Sequence, residues 1–283
     1  MKIFHNKSEV SAYSHHLKQD GKTLGFVPTM GALHDGHLAL VKQGLKDNAF
    51  VVVSIFVNPT QFDNPDDLVK YPRTLENDVA LLKTVSTTNI VVYAPTVEDI
   101  YGTSVTSESF AFDGLEHEME GAFRSGHFDG VGTIVKRLFE IVNPDRAYFG
   151  EKDFQQLQII KKLVELYHID VDVIGCPIHR HTDGLAMSSR NTRLTNEHRK
   201  AAPFIYKTLK TAKIKFGTKS AKQVTEWVER QFKKQALLEL EYFIIADIST
   251  LKPVKRKSRQ KSYRAFIAAY AGDIRLIDNI ALN

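Results

Sequence analysis

No stretch narrows the choice of fold more than Phe50 to Val57, F-V-V-V-S-I-F-V. A strand with one wet face alternates apolar and polar residues. This run does not alternate; it is almost wholly β-branched or aromatic and stops at Asn58-Pro59. A strand of that kind is buried on both faces, and sheets covered on both faces are built from parallel strands joined by crossover helices. Shorter runs of the same character recur at Leu24 to Val27, Ile90 to Tyr93, Ala147 to Phe149 and Val171 to Gly175. Between them lie segments with helical spacing, at Gly36 to Lys46, Leu75 to Val85, Val131 to Val142 and Phe154 to Tyr167, after a polar helix at Ser8 to Lys18. This alternation predicts an α/β fold, a Rossmann-like doubly wound parallel sheet. Ser104 to Phe112 alternates weakly and reads as an edge strand outside the parallel set. Gly121 to Gly132 reads as a loop.

The pattern changes after Pro177. Ala201 to Phe216 and Ala221 to Leu240 read as helices, the second entered through a capping box of Ser220 and Gln223. Tyr242 to Ala246, Tyr263 to Tyr270 and Ile274 to Ile277 read as strands. Two helices followed by three strands predict a smaller α+β C-terminal domain. The boundary is expected at 183/184, giving a nucleotide-binding domain over 1–183 and a lid domain over 184–283. The single cysteine, Cys176, rules out an intrachain disulfide and a Cys-rich zinc site. With no long apolar run and no charged-then-apolar leader, the chain reads as cytoplasmic, without a membrane partner. Its formal net charge of +5 suits anionic substrates. The densest basic run, Lys252 to Lys261, reads as a solvated loop. It lacks the interleaved aromatics on which single-strand binders stack bases, so no nucleic-acid partner is expected.

Four segments carry candidate chemistry. Pro28 to Val41, P-T-M-G-A-L-H-D-G-H-L-A-L-V, runs from a strand through a Gly-containing turn into a helix. Backbone amides and the helix dipole make such a turn an anion site, and His34 and His37 are spaced to lie on one side of the helix. By spacing alone, the same residues are equally a strand-to-helix connection with Asp35 as N-cap and two surface histidines. Asn58 to Phe62 leaves the next strand at the end where α/β ligands bind, and the Gln61 amide can both donate and accept. Gly150 to Gln156, G-E-K-D-F-Q-Q, also leaves a strand and opens a helix; Lys152 offers a mobile positive charge, and Asp153 reads as a cap. Met187 to Asn191, M-S-S-R-N, supplies hydroxyls and a guanidinium, or is a polar linker. Tyr71 to Thr74 and Arg124 to His127 are weaker signals. Three of the four main segments follow strands whose loops should face one crevice. Their content is phosphate binders, histidines and amides, with no Ser-His-Asp order and no metal-ligand cluster.

His34-Asp-Gly-His37 resembles the HxGH motif of the nucleotidyltransferase superfamily. The longer strings, Pro28 to His37, Phe56 to Phe62, Tyr71 to Thr74, Gly150 to Leu157 and Asp183 to Asn191, are similar in sequence and in order to those of the pantoate–β-alanine ligase family. That resemblance implies an ATP-dependent ligase that joins pantoate to β-alanine through a pantoyl adenylate, releasing AMP and pyrophosphate, with Mg2+ accompanying ATP and a homodimeric assembly. By position it implies His37, His34 and Lys152 as catalytic. It assigns ATP to Met30, Gly31, Ala32, Leu33, His34, Asp35, Gly36 and His37, to Gly150, Glu151, Lys152 and Asp153, and to His179, Met187, Ser188, Ser189 and Arg190. Gln61 and Gln156 are implied pantoate ligands, and Gln61 a β-alanine ligand as well. Where some relatives carry a run of acids after Tyr-Pro-Arg-Thr, this chain has Glu76-Asn77-Asp78, which leaves a protein ligand for the metal undetermined. The rival readings are a nucleotidyltransferase acting on a different acid, and a basic nucleic-acid-binding module built on residues 252–261.

Overall fold

The computed structural model describes residues 1–62 and 65–283. The chain divides into two compact units, Met1–Glu151 with Gln155–Pro177, and Lys152–Phe154 with Ile178–Asn283.

The first unit contains β1 (Lys2–Phe4), α1 (Lys7–Gln19), β2 (Leu24–Thr29), α2 (Asp35–Asp47), β3 (Phe50–Ile55), α3 (Pro65–Lys70), α4 (Leu75–Lys83), β4 (Ile90–Tyr93), α5 (Val97–Tyr101), α6 (Met119–Phe123), α7 (His127–Val142), β5 (Arg146–Gly150), α8 (Phe154–Tyr167) and β6 (Asp172–Cys176). Its six strands are parallel, in the order β1-β4-β3-β2-β5-β6. From β2 the chain steps outward through β3 to β4, then returns to the other side of β2 for β5 and β6. The reversal between β2 and β5 marks the place where open α/β sheets bind ligands, beyond the carboxyl ends of the strands. Val51, Val52 and Val53 are fully buried, as their uninterrupted run requires.

Helix α2 lies close to the sheet because the contact surfaces lack side chains. A Cβ on Gly44 would sit 2.9 Å from Val51 Cγ2, and one on Gly25 2.8 Å from Asn48 Nδ2. Asn48 Nδ2 donates to the Gly44 carbonyl and to the Tyr148 hydroxyl, which in turn donates to Asp47. The C-terminal end of α2 is thus tied to β5, and its N-terminal end is fixed at the carboxyl edge of the sheet.

Two sequence expectations are corrected in this unit, and one strand was not foreseen. Ser104 to Phe112 forms no strand, because its amides bond to α7 side chains instead: Glu108 N donates to Thr133 Oγ1, and Phe110 N to Asp129 Oδ1. The segment 121–132 is not a loop. It holds the end of α6 and the first turns of α7, whose glycines admit close neighbours: a Cβ on Gly132 would touch the Phe110 ring at 3.0 Å. The three-residue edge strand β1 has no apolar run to announce it.

The second unit contains α9 (Asn196–Ala201), α10 (Phe204–Thr218), α11 (Ala221–Phe232), β7 (Glu239–Asp247), β8 (Tyr263–Ala271) and β9 (Ile274–Ala281). The strands form an antiparallel sheet in the order β7-β8-β9. The helix expected from Ala201 begins only at Phe204, after Pro203, which lacks the amide an interior position needs. The helix expected to reach Leu240 ends at Phe232, and Glu239 already pairs with Tyr270. The Ser220–Gln223 capping box is formed as expected. The chain passes from the first unit to the second at Pro177/Ile178. Residues 178–187 belong to the second unit because Arg180 bridges to Ala186 and grips Asp278 on β9 through two bonds of 2.6 and 2.9 Å.

Candidate active site

The histidine turn is built by backbone capping. His34, with extended φ −145° and ψ 174°, is the N-cap of α2. Its Nδ1 accepts the Gly36 amide at 3.1 Å, and His37 Nδ1 accepts the His34 amide at 3.3 Å, a capping box made by two imidazoles. Asp35, the cap in the alternative reading of this turn, is the first helical residue. The rings lie 4.1 Å apart at an interplanar angle of 32°. A ring nitrogen that accepts from an amide carries no proton, so each neutral imidazole holds its proton on Nε2. The backbone therefore fixes the tautomer and makes both side chains Nε2–H donors at a helix N-terminus.

The turn before them is held from three directions. Thr29 Oγ1 donates to the Ser54 carbonyl and accepts the Gly31 amide. Gly31 and Ala32 both have positive φ, 81° and 49°. The amides of Ala32 and Leu33 donate to the two carboxylate oxygens of Asp78 at 3.0 and 2.7 Å, and Thr74 Oγ1 adds a bond at 3.2 Å. Asp78, which the sequence left as an undetermined metal ligand, thus serves the loop. Thr74 precedes α4 as expected but makes no side-chain cap bond.

Gln61 stands beside this turn. Its Nε2 donates to Met30 Sδ at 3.0 Å, and its Oε1 accepts from Asn58 Nδ2 at 3.2 Å. Asn58, 1% exposed, also donates to the Gly130 carbonyl and accepts the Tyr101 hydroxyl at 2.5 Å. Burial raises the Tyr101 phenol above its ordinary range, against smaller lowering effects of Thr60, Arg137 and Asn58, so it remains a donor. The Gln61 carbonyl faces two side chains that the sequence marked only weakly. A carbonyl can only accept, so His127 Nδ1 donates to it at 2.8 Å. Arg124 donates to the same oxygen at 3.3 Å and to His127 Nε2 at 3.1 Å. His127 is therefore neutral with its proton on Nδ1 and bridges Arg124 to the Gln61 peptide. The signal for this pair was the Gly126-His127 step, where Gly126, at φ 70°, starts α7.

Gly150 and Glu151 leave β5 and are half-buried, as is Gln156 on α8. The neighbouring Gln155 was missed. It is 4% exposed, donates to the carbonyls of Leu115 and Glu118 and accepts the Glu120 amide, fixing the segment ahead of α6.

The remaining expected residues lie in the second unit. The Lys152 carbonyl accepts Asn279 Nδ2 at 2.9 Å, and its ammonium reaches exposed Asp153 only at 3.5 Å. Asn279 is held by Arg264, and its amide donates to Asp278. Burial raises the Asp278 carboxyl pKa, and the paired Arg180 works against that rise. The His179 carbonyl accepts the Met187 amide, closing a hairpin whose turn residue Gly184 has φ 95°. Ser188 caps a short 3-10 turn over Ser189–Arg193, its Oγ accepting the Arg190 amide at 3.3 Å. Asn279, Asp278 and Arg180 link the Lys152 segment to the hairpin, a link invisible in the local sequence. The site residues expected from sequence thus form one group in each unit.

Comparison with known proteins agrees with these observations. The profile of the family described as Pantoate-beta-alanine ligase matches residues 2–281. The pantothenate synthetases of Christiangramia forsetii and Flavobacterium psychrophilum are 58% and 59% identical to this chain, with 100% of each chain covered. A pantothenate synthetase structure from Thermus thermophilus superposes with a TM-score of 0.91 at 38% identity, covering 100% of this chain and 99% of that one. The Francisella tularensis pantoate-beta-alanine ligase, solved with beta-gamma ATP and beta-alanine, gives 0.80 at 34% identity, covering 100% and 98%. With the parallel sheet, the imidazole-capped turn and full-length likeness together, this chain belongs to the pantoate–β-alanine ligase family.

Proposed function

We propose that this ligase condenses pantoate with β-alanine in two steps at the α2 turn. A pantoate carboxylate oxygen attacks the α-phosphorus of ATP, the bond to the β-phosphate oxygen breaks, and pyrophosphate leaves. The β-alanine amine then attacks the adenylate carbonyl, AMP departs with the bonding pair, and the amine proton passes to solvent. The observation that carries this reading is the pair of adjacent, tilted imidazoles whose Nδ1 atoms are occupied by backbone amides. Two Nε2–H donors at a helix N-terminus are preorganised for a triphosphate and for the charge that develops on pyrophosphate. The Gln61 amide is our choice for pantoate and β-alanine, and half-buried Gln156 for pantoate. In the second unit we assign Lys152, Ser188, Ser189 and Arg190 to ATP phosphates, and His179 and Met187 to the nucleotide.

Magnesium is assigned to the ATP phosphates. Among the described residues no group of three His, Cys, Asp or Glu could cage a metal, and Asp78 already binds two amides and a hydroxyl. No helix among the described residues is long and apolar enough to cross a membrane. Burial pushes the Cys176 thiol up to about 11, which keeps it protonated at neutral pH; we assign the protein to the cytoplasm. Within the basic run, Lys261 is paired to Asp247 and Lys257 lies over the Phe216 ring.

ATP and pantoate without β-alanine should release pyrophosphate in an amount equal to the enzyme, and β-alanine should turn that burst into continuous release. Equal bursts with unrelated hydroxy acids would overturn the substrate assignment. We also propose a homodimer in solution; light scattering that reads 32.0 kDa, the mass of one chain, would reject it.

A further inference from the structure

The turn between β2 and α2 poses a backbone problem. Gly31 adopts φ 81° without penalty, but Ala32 follows at φ 49°, a conformation that L residues with a Cβ rarely enter. Something must hold it there, two residues before His34. Asp78 is 1% exposed, and each of its carboxylate oxygens accepts one of the successive amides of Ala32 and Leu33. The carboxylate also sits in the first turn of α4, where the helix dipole favours an anion. Its position is therefore explained by the loop it grips.

We propose that Asp78 is a positioning residue for adenylate formation, acting through the Ala32–Leu33 backbone to set the two imidazoles. The inference rests on the reading of His34 and His37 given above. A carboxylate is needed because only an anion offers acceptors to both amides. An asparagine of the same size keeps one acceptor and turns an NH2 group toward the other N–H. A buried anion is a poor choice for packing alone, since a neutral or apolar group of that volume would be easier to bury. Gly31 is shaped by the same contact: a Cβ there would lie 3.1 Å from Asp78 Oδ2.

The test is Asp78→Asn, read by single-turnover pyrophosphate release and by amide hydrogen exchange. The expected rate is about 10- to 100-fold lower, the scale of a small misplacement of reacting groups. The Ala32 and Leu33 amides should lose protection in the same variant. Adding Ala32→Gly should restore at least about threefold of the rate, because glycine takes positive φ without a tether. A purely structural Asp78 would lower the unfolding midpoint, leave the rate per folded molecule within twofold, and gain nothing from Ala32→Gly; that result overturns the proposal. If Asp78→Asn does not fold, Ala32→Val breaks the left-handed turn from the loop side. A folded Ala32→Val with the wild-type rate overturns the proposal equally. Wild-type protein that releases no pyrophosphate with pantoate would refute the function instead. The exchange readout would still decide whether Asp78 holds the turn.

Discussion

Replacing His37 with alanine slows adenylate formation by about 100-fold or more, the scale of losing one preorganised donor from a site where charge develops. The residue has two separable jobs. Its Nδ1 accepts the His34 amide and completes the capping box, and its Nε2–H is the donor we assign to the phosphates. Loss of the cap alone costs about 1 kcal/mol, which lowers the unfolding midpoint slightly but leaves the protein folded. Glutamine, a usual residue at this position of a capping box, can accept the His34 amide while removing the imidazole donor. His37→Gln should therefore recover most of the stability lost in His37→Ala without recovering the rate. Rapid-quench measurement of pyrophosphate in one turnover, paired with thermal unfolding, separates the two. A His37→Ala rate near that of the wild type would remove the imidazole from the chemistry, and rescue of the rate by glutamine would reduce its part to capping.

What could be read in advance divides by how far the information travels along the chain. The sheet was legible because Phe50–Ile55 declares its burial without reference to any other segment, and the histidine turn because strand, glycine and helix follow one another directly. The capping residue was left open for a local reason: Asp35 has the chemistry of an ordinary N-cap, whereas a histidine cap is unusual and here is joined by a second histidine one turn on. Apart from Asn58 in its own segment, the Gln61 environment was not legible, since Met30, Tyr101, Arg124 and His127 come from segments that no local pattern joins to it. Asp78 and Asn279 were missed in the same way, each bonded to backbone far off in sequence. Glycines in α7 misled because glycine is penalised in a helix interior, so Gly130 and Gly132 argued for a loop until the neighbours that need the space were known.

That misreading supplies the most stringent test of the pantoate assignment, through Gly130→Ala. On a free helix the change should stabilise the protein by about 1 kcal/mol. Here the added Cβ would stand 2.2 Å from the Thr60 carbonyl oxygen and 2.7 Å from the Gln61 nitrogen, so the peptide between them must move by about an ångström to reach ordinary contact distance. The shift cannot be absorbed quietly. The Gly130 carbonyl is bonded to Asn58, and the Gln61 carbonyl to His127, so moving one peptide strains both ties to α7. Overpacking of this kind costs about 1–3 kcal/mol, which outweighs the helix gain and makes the net sign destabilising. A misplacement of about 1 Å at a positioning residue is also enough to lower kcat/KM about 100-fold. The loss should appear with pantoate as the varied substrate and leave the KM for ATP within about threefold, because the histidine turn is tied to Asp78 and Thr29 rather than to α7. A Gly130→Ala protein that melts higher than the wild type and retains its pantoate kinetics would show that Gln61 does not hold the acid.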